Sequence, residues 1–133
     1  MDTFPPLGHV ALTVHSADKS KPWYEALFGA APALDEDTGP WRHVVWVLPG
    51  GTLFGIHEHP GQTSDSDTFS EYRVGLDHAG FHCASRADLE EWATRLDALG
   101  VAHGEITDAP YGTGLSFRDP DGNALEFFTA PVS

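Results

Sequence analysis

The 133-residue chain is acidic, with 20 Asp and Glu against 7 Lys and Arg, a formal net charge of −13, and 41% hydrophobic residues. So few cations exclude a surface that tracks nucleic-acid phosphates, no apolar run is long enough to cross a bilayer, and the lone Cys83 excludes an internal disulfide. The length suits one domain, 1–133, with its own core; no basic-then-apolar segment opens it, so a signal peptide is not expected and the cytoplasm is the expected compartment.

Residues 9–14 (His-Val-Ala-Leu-Thr-Val) read as a strand with His9, Ala11 and Thr13 on one face. A helix is expected from about Ser20 to Phe28, with Pro22 in its first turn, Gly29 as its stop, and Trp23, Tyr24, Leu27 and Phe28 in the core. A short extended piece at 33–34 precedes a hairpin, 42–48 and 52–57, about Pro49-Gly50-Gly51. Residues 60–75 are polar and turn-rich and read as a linker. Residues 78–83 then form a second strand, with His78, Gly80 and His82 on one face and Cys83 turned toward the core. Ser85 and Asp88 resemble a capping box, and Leu89, Trp92, Ala93, Leu96 and Leu99 mark one face of a helix that Gly100 stops. A short strand at 103–106 and a hairpin at 116–128 complete the chain. The hairpin turns at Asp119-Pro120-Asp121-Gly122, after which Ala124, Glu126 and Phe128 share one strand face and Leu125 and Phe127 the other. A carboxylate in so apolar a run is costly to bury without a positive partner, and a metal ion would serve.

The two halves repeat. Leu7 and Leu76, His9 and His78, Trp23 and Trp92, Leu27 and Leu96, and His57 and Glu126 all stand 69 residues apart. Each half is thus a β-α-β-β-β module, 7–59 and 76–130, joined by the 60–75 linker. The expected fold class is α+β, two such modules related by a pseudo-twofold axis and forming an open, cup-shaped mixed sheet. That symmetry gathers His9, His57, His78 and Glu126 at one place. Any one of these histidines alone is ordinarily a satisfied core or surface residue; four groups placed by a repeat suit a divalent first-row ion, Fe, Mn, Co, Ni or Zn. His82, four residues from His78 and roughly 13 Å further along the strand, is too far to share that ion but could meet a substrate. Tyr111, in the 108–114 segment read as a loop, is the candidate substrate-facing donor.

Several stretches resemble the vicinal oxygen chelate (VOC) superfamily, the glyoxalase, bleomycin-resistance and extradiol-dioxygenase group. They are His9-Val-Ala-Leu-Thr-Val, Trp23-Tyr24-Glu25-Ala26-Leu27-Phe28-Gly29, Leu76-Asp77-His78-Ala79-Gly80-Phe81 and, most specific, Phe117-Arg118-Asp119-Pro120-Asp121-Gly122-Asn123-Ala124-Leu125-Glu126. The resemblance implies paired modules around a metal and, often, a homodimer. Its first-strand ligand falls on His9, its fifth-strand ligand on His78, its eighth-strand carboxylate on Glu126, and its fourth-strand position on or beside His57. Glyoxalase I-like members carry a Glu at that last position; here Glu58 is adjacent but alternates to the other face. His9, His78 and Glu126 alone form a two-His-one-carboxylate set of the kind non-haem iron oxygenases use. The resemblance implies a divalent-metal-dependent enzyme, a dioxygenase or a lyase or isomerase, that chelates a small oxygenated molecule, with Glu126, Tyr111 and His82 as catalytic candidates. The alternative is a metal-free protein that sequesters a bleomycin-type antibiotic, a cationic ligand suited to the acidic chain.

Overall fold

A computed structural model describes residues 3–64 and 66–131. The chain divides into two compact units, 1–67 and 68–133, with the division inside the 60–75 stretch. The fold is α+β, and each unit is a four-stranded mixed sheet carrying one helix.

In the first unit β1 (His9–Thr13), α1 (Ala17–Phe28), β2 (Leu34–Asp37), β3 (Arg42–Val47) and β4 (Leu53–Glu58) follow in sequence, and the sheet order is β1-β4-β3-β2. β1 runs parallel to β4; the other pairs are antiparallel. Alternation gives the sheet two faces. Leu12, Val14, Val44, Trp46, Phe54 and Ile56 are buried and share the helix side. Tyr24 and Phe28 of α1 pack there against Trp46 and Phe54, with ring centres 5.3–5.9 Å apart, and Trp46 Nε1 donates to the Ala30 carbonyl. α1 begins three residues before the expected Ser20. Ser16 caps it by accepting the Lys19 N–H, a bond worth about 1 kcal/mol against alanine. Glu58, on the helix side, accepts the Ala17 N–H at 2.7 Å. Pro22 therefore lies inside the helix and not in its first turn.

In the second unit β5 (Ala79–His82), α2 (Arg86–Ala98), β6 (Thr107–Ala109), β7 (Gly112–Arg118) and β8 (Ala124–Thr129) repeat the plan, in sheet order β5-β8-β7-β6. Leu89 and Leu96 of α2, with Leu115, Phe117, Leu125 and Phe127, form the core. Trp92 stacks on Phe127 with ring centres 4.2 Å apart, whereas Leu99 is 44% exposed and outside it. Ser85 caps α2, while the Asp88 carboxylate reaches the Ala84 N–H instead of closing a full capping box. His103 makes only an isolated bridge to Phe117, so the expected strand at 103–106 lies further on, at Thr107–Ala109. The expected 108–114 loop is accordingly a β6–β7 hairpin, turning at Pro110-Tyr111.

The Asp119–Asn123 turn is organised by Asp119, which is 5% exposed. Its carboxylate accepts the N–H groups of Asp121 and Asn123 and the Asn123 side-chain amide, and Gly122 takes the positive φ of 81° that the turn requires. This closure fixes the register of β7 against β8, and with it the place of Glu126.

Register also corrects the repeat. The caps Ser16 and Ser85 keep the spacing of 69. Beyond the helices it becomes 71: Val14 N–H donates to the His57 carbonyl as Cys83 N–H donates to that of Phe128. Val45 pairs with Gly55 as Ser116 pairs with Glu126. The counterpart of Glu126 in the first unit is therefore Gly55, and that of His57 is Phe128.

Candidate metal centre

The second unit supplies a built pair of donors. β8 carries Glu126 on the face opposite the buried Leu125 and Phe127. Gly80 of β5 lies directly across from it and Ser116 of β7 on the other side. His78 immediately precedes β5 and points its Nε2 at Glu126 Oε1, 3.3 Å away. Its Nδ1 is held by the Asp77 carboxylate at 2.7 Å. Hydrogen bonding to Asp77, with the nearby Glu126 charge, raises the His78 pKa above the ordinary histidine value against the opposing effect of partial burial. A histidine fixed through one ring nitrogen by a carboxylate, with the other free for an acceptor or an ion, is the arrangement that orients metal ligands.

Glycine makes the room. A methyl group added at Gly80 would lie 3.4 Å from Glu126 Oε1, and one at Gly114 3.5 Å from Oε2. A side chain at either position would stand in direct contact with the carboxylate oxygens. His78, Glu126, Ser116 and Arg118 line a cavity of about 170 Å³, with Asp77 and Glu71 also on its wall. One imidazole nitrogen, one carboxylate and space beside them fit a divalent ion that accepts nitrogen and oxygen donors.

In the first unit His9 opens β1 on its exposed face. His57 shares that face but pairs with Thr13, whereas His9 pairs with Leu53. The two histidines are thus four residues apart along the sheet, about 13 Å along the strand direction. His57 belongs to a cross-strand row, Thr13, His57, His43, Glu36. Trp41 stacks on it with ring centres 5.2 Å apart, and His43 meets it edge-on at 5.4 Å. Burial, followed by the charges of His43, His59 and His9, lowers the His57 pKa. His43 Nε2 is buried without a hydrogen bond, 3.8 Å from Glu36.

The remaining expected residues separate. His82 is exposed at the end of β5, opposite Phe128 and one same-face position beyond Gly80. Tyr111 is 76% exposed and five residues from Ser116 along β7, about 17 Å, so within this unit it does not approach Glu126. Cys83 is buried, and burial pushes its thiol pKa up, which leaves it no nucleophilic character. Among the described residues no three His, Cys, Asp or Glu side chains form a ready-made cage for a metal.

Sequence reasoning missed Asp77, Ser116, Arg118 and the glycines around Glu126. Asp77 had a signal, since an Asp–His pair at a strand start places a carboxylate within reach of the imidazole. The shift of spacing was also visible, because the helix-stop glycines Gly29 and Gly100 already stand 71 apart.

The profile of the Glyoxalase/Bleomycin resistance protein/Dioxygenase superfamily matches residues 7–127. An uncharacterized Pseudomonas aeruginosa protein, PA2024, is 31% identical over 129 residues, covering 92% of this chain and 87% of its own. The crystal structure of a glyoxylase/bleomycin resistance protein/dioxygenase domain from Frankia sp. EAN1pec is 33% identical, with a TM-score of 0.86 over 97% of this chain and all of that one. FosX, a fosfomycin resistance protein from Listeria monocytogenes in complex with Mn(II) and sulfate, shares the fold at 20% identity and a TM-score of 0.70, covering 98% of this chain and 94% of its own. With this match along nearly its whole length, the chain belongs to the Glyoxalase/Bleomycin resistance protein/Dioxygenase superfamily.

Proposed function

We propose that the protein is a divalent-metal-dependent enzyme acting on a small molecule with two neighbouring oxygens, and that His9, His78 and Glu126 hold the ion. The observation that carries this reading is the His78–Glu126 pair, 3.3 Å apart, with Asp77 on the far side of the imidazole. The set of two imidazoles and one carboxylate suits Fe, Mn, Co, Ni or Zn, and FosX, of the same fold, was crystallised with Mn(II). A bound ion supplies a Lewis acid for the substrate oxygens.

The protein's own groups do the rest. Asp77 holds the proton on His78 Nδ1 and leaves Nε2 to donate a lone pair. Gly80 and Gly114 keep side chains away from Glu126, leaving one carboxylate oxygen able to bind an ion while the other handles a proton. The Ser116 hydroxyl, on the strand beside Glu126, is placed to hydrogen-bond a bound molecule. His82 is the proton-handling candidate for a substrate extending past Glu126 along β5. Tyr111 and His57 are not among the groups proposed to hold the ion.

The test is turnover. Protein stripped with chelator and reloaded with each ion in turn should act on one of three substrate groups: catechols, hemithioacetals of α-keto aldehydes, or electrophiles attacked by an added thiol. Activity should follow the metal and vanish on stripping. Equal activity in stripped and loaded protein would sink the metal-dependent reading. Tight binding of a bleomycin-type cation without turnover would put a sequestering protein in its place.

A further inference from the structure

Arg118 closes β7 on the same face as Ser116, opposite Ala124, and lines the cavity that His78 and Glu126 share. It is the only Lys or Arg among the described lining residues, and the other charged groups there are the carboxylates Glu71, Asp77 and Glu126, with His78. Its guanidinium is already occupied in a particular way. Nη1 donates to Glu71 Oε2 at 3.2 Å and Nη2 to Glu71 Oε1 at 3.1 Å, a two-pronged pairing of guanidinium and carboxylate. Nη1 also donates to the Gly122 carbonyl at 3.0 Å, which fixes the fork from behind. The Phe69 ring lies 5.6 Å from the guanidinium carbon.

The geometry points to Arg118 as the residue that recognises a carboxylate on the substrate, with Glu71 keeping its place until substrate displaces it. Glu71 belongs to no strand or helix, and the pair is open to solvent, the side chains being 50% and 35% exposed. Exposed ion pairs contribute little to stability, so exchanging one carboxylate for another costs little. An arginine held for bidentate contact selects a planar carboxylate in a way that a lysine does not. Arg118 stands two residues from Ser116, about 7 Å along the strand, and Ser116 pairs with Glu126. The substrate class is therefore a short carboxylic acid, with a few carbon–carbon bonds between its carboxylate and its two chelating oxygens. This inference rests on the proposed reading of the cavity as the substrate site.

Acetate titrated into the full chain, followed by NMR at constant ionic strength, tests it with and without metal. Wild type should bind acetate saturably. Glu71→Gln, an exposed change that leaves Arg118 bonded to Gly122, should bind about two- to fivefold more tightly. Arg118→Gln should lose saturation while its melting curve confirms a folded chain. Acetate affinity that is the same in all three proteins, or no tighter in Glu71→Gln than in wild type, would overturn the inference. The expected order of affinities in a protein that binds no divalent ion would uphold Arg118 and remove the metal reading, so the two failures are distinguishable.

Discussion

His57 and His78 have the same side chain and opposite electrostatics. His78 is hydrogen-bonded by Asp77 and faces Glu126, which favours the imidazolium. His57 is partly buried among other imidazoles, which favours the neutral ring. In metal-free protein, NMR titration of the ring protons should give His78 a midpoint above the ordinary value of about 6.5 and His57 a midpoint below it. Asp77→Asn should bring His78 back toward 6.5 and weaken metal binding about tenfold to a hundredfold. The signs follow from linkage. The stability that His78 contributes is full below the unfolded value and is lost as pH rises through its folded one. His57 stabilises above the unfolded value, and its contribution falls away as pH drops from there toward its folded one. Coincident midpoints near 6.5 would contradict this description of both sites.

At the scale of elements, Arg42 joins three pieces of the first unit: it begins β3, pairs with Asp35 on β2 and reaches Asp18 in α1. The Arg42 hydrogen bond, opposed by some burial and aided by Lys21, holds the Asp35 pKa at about 2 instead of 3.8. Its contribution should be complete above pH 3.8 and vanish as pH falls through about 2. Arg42→Met should therefore flatten the acid limb of the thermal stability profile between those values; an unchanged profile would refute the role. These elements were largely legible in the sequence, because Ser85, Gly29 and Gly100 mark helix ends through their own backbone chemistry, whereas the Ser16 cap was passed over and α1 was expected three residues late. Alternation likewise put Leu125 and Phe127 on one strand face and Glu126 on the other. What was not legible was register. The spacing of 69 holds only up to the helices, and pairing His57 with Glu126 carried it two residues too far. Strand pairing decides such matters through contacts that no local pattern records. The 108–114 segment was read as a loop for a related reason, since Pro110-Tyr111-Gly112 reads equally well as loop and as hairpin turn.

At the scale of the molecule, two modules share one plan but differ in chemistry. The second unit pairs His78 with Glu126 and backs it with Asp77; at the position equivalent to Glu126 the first unit has Gly55, with no side chain to offer. The edge strands β1, β2, β5 and β6 of the two sheets leave backbone groups without sheet partners, and open edges are commonly covered. Light scattering should accordingly give a homodimer, and a monomer at high concentration would count against that reading. The proposed function rests on one claim, that this chain binds a divalent ion through Glu126. Calorimetric titration of chelator-stripped wild type and Glu126→Gln with Mn(II), Fe(II), Co(II), Ni(II) and Zn(II) tests it most directly. The expected result is one ion per chain in wild type and affinity at least tenfold weaker in Glu126→Gln, whose shape is kept and whose charge is gone. Wild type that takes up no ion at excess, or Glu126→Gln that binds as tightly as wild type, would contradict it.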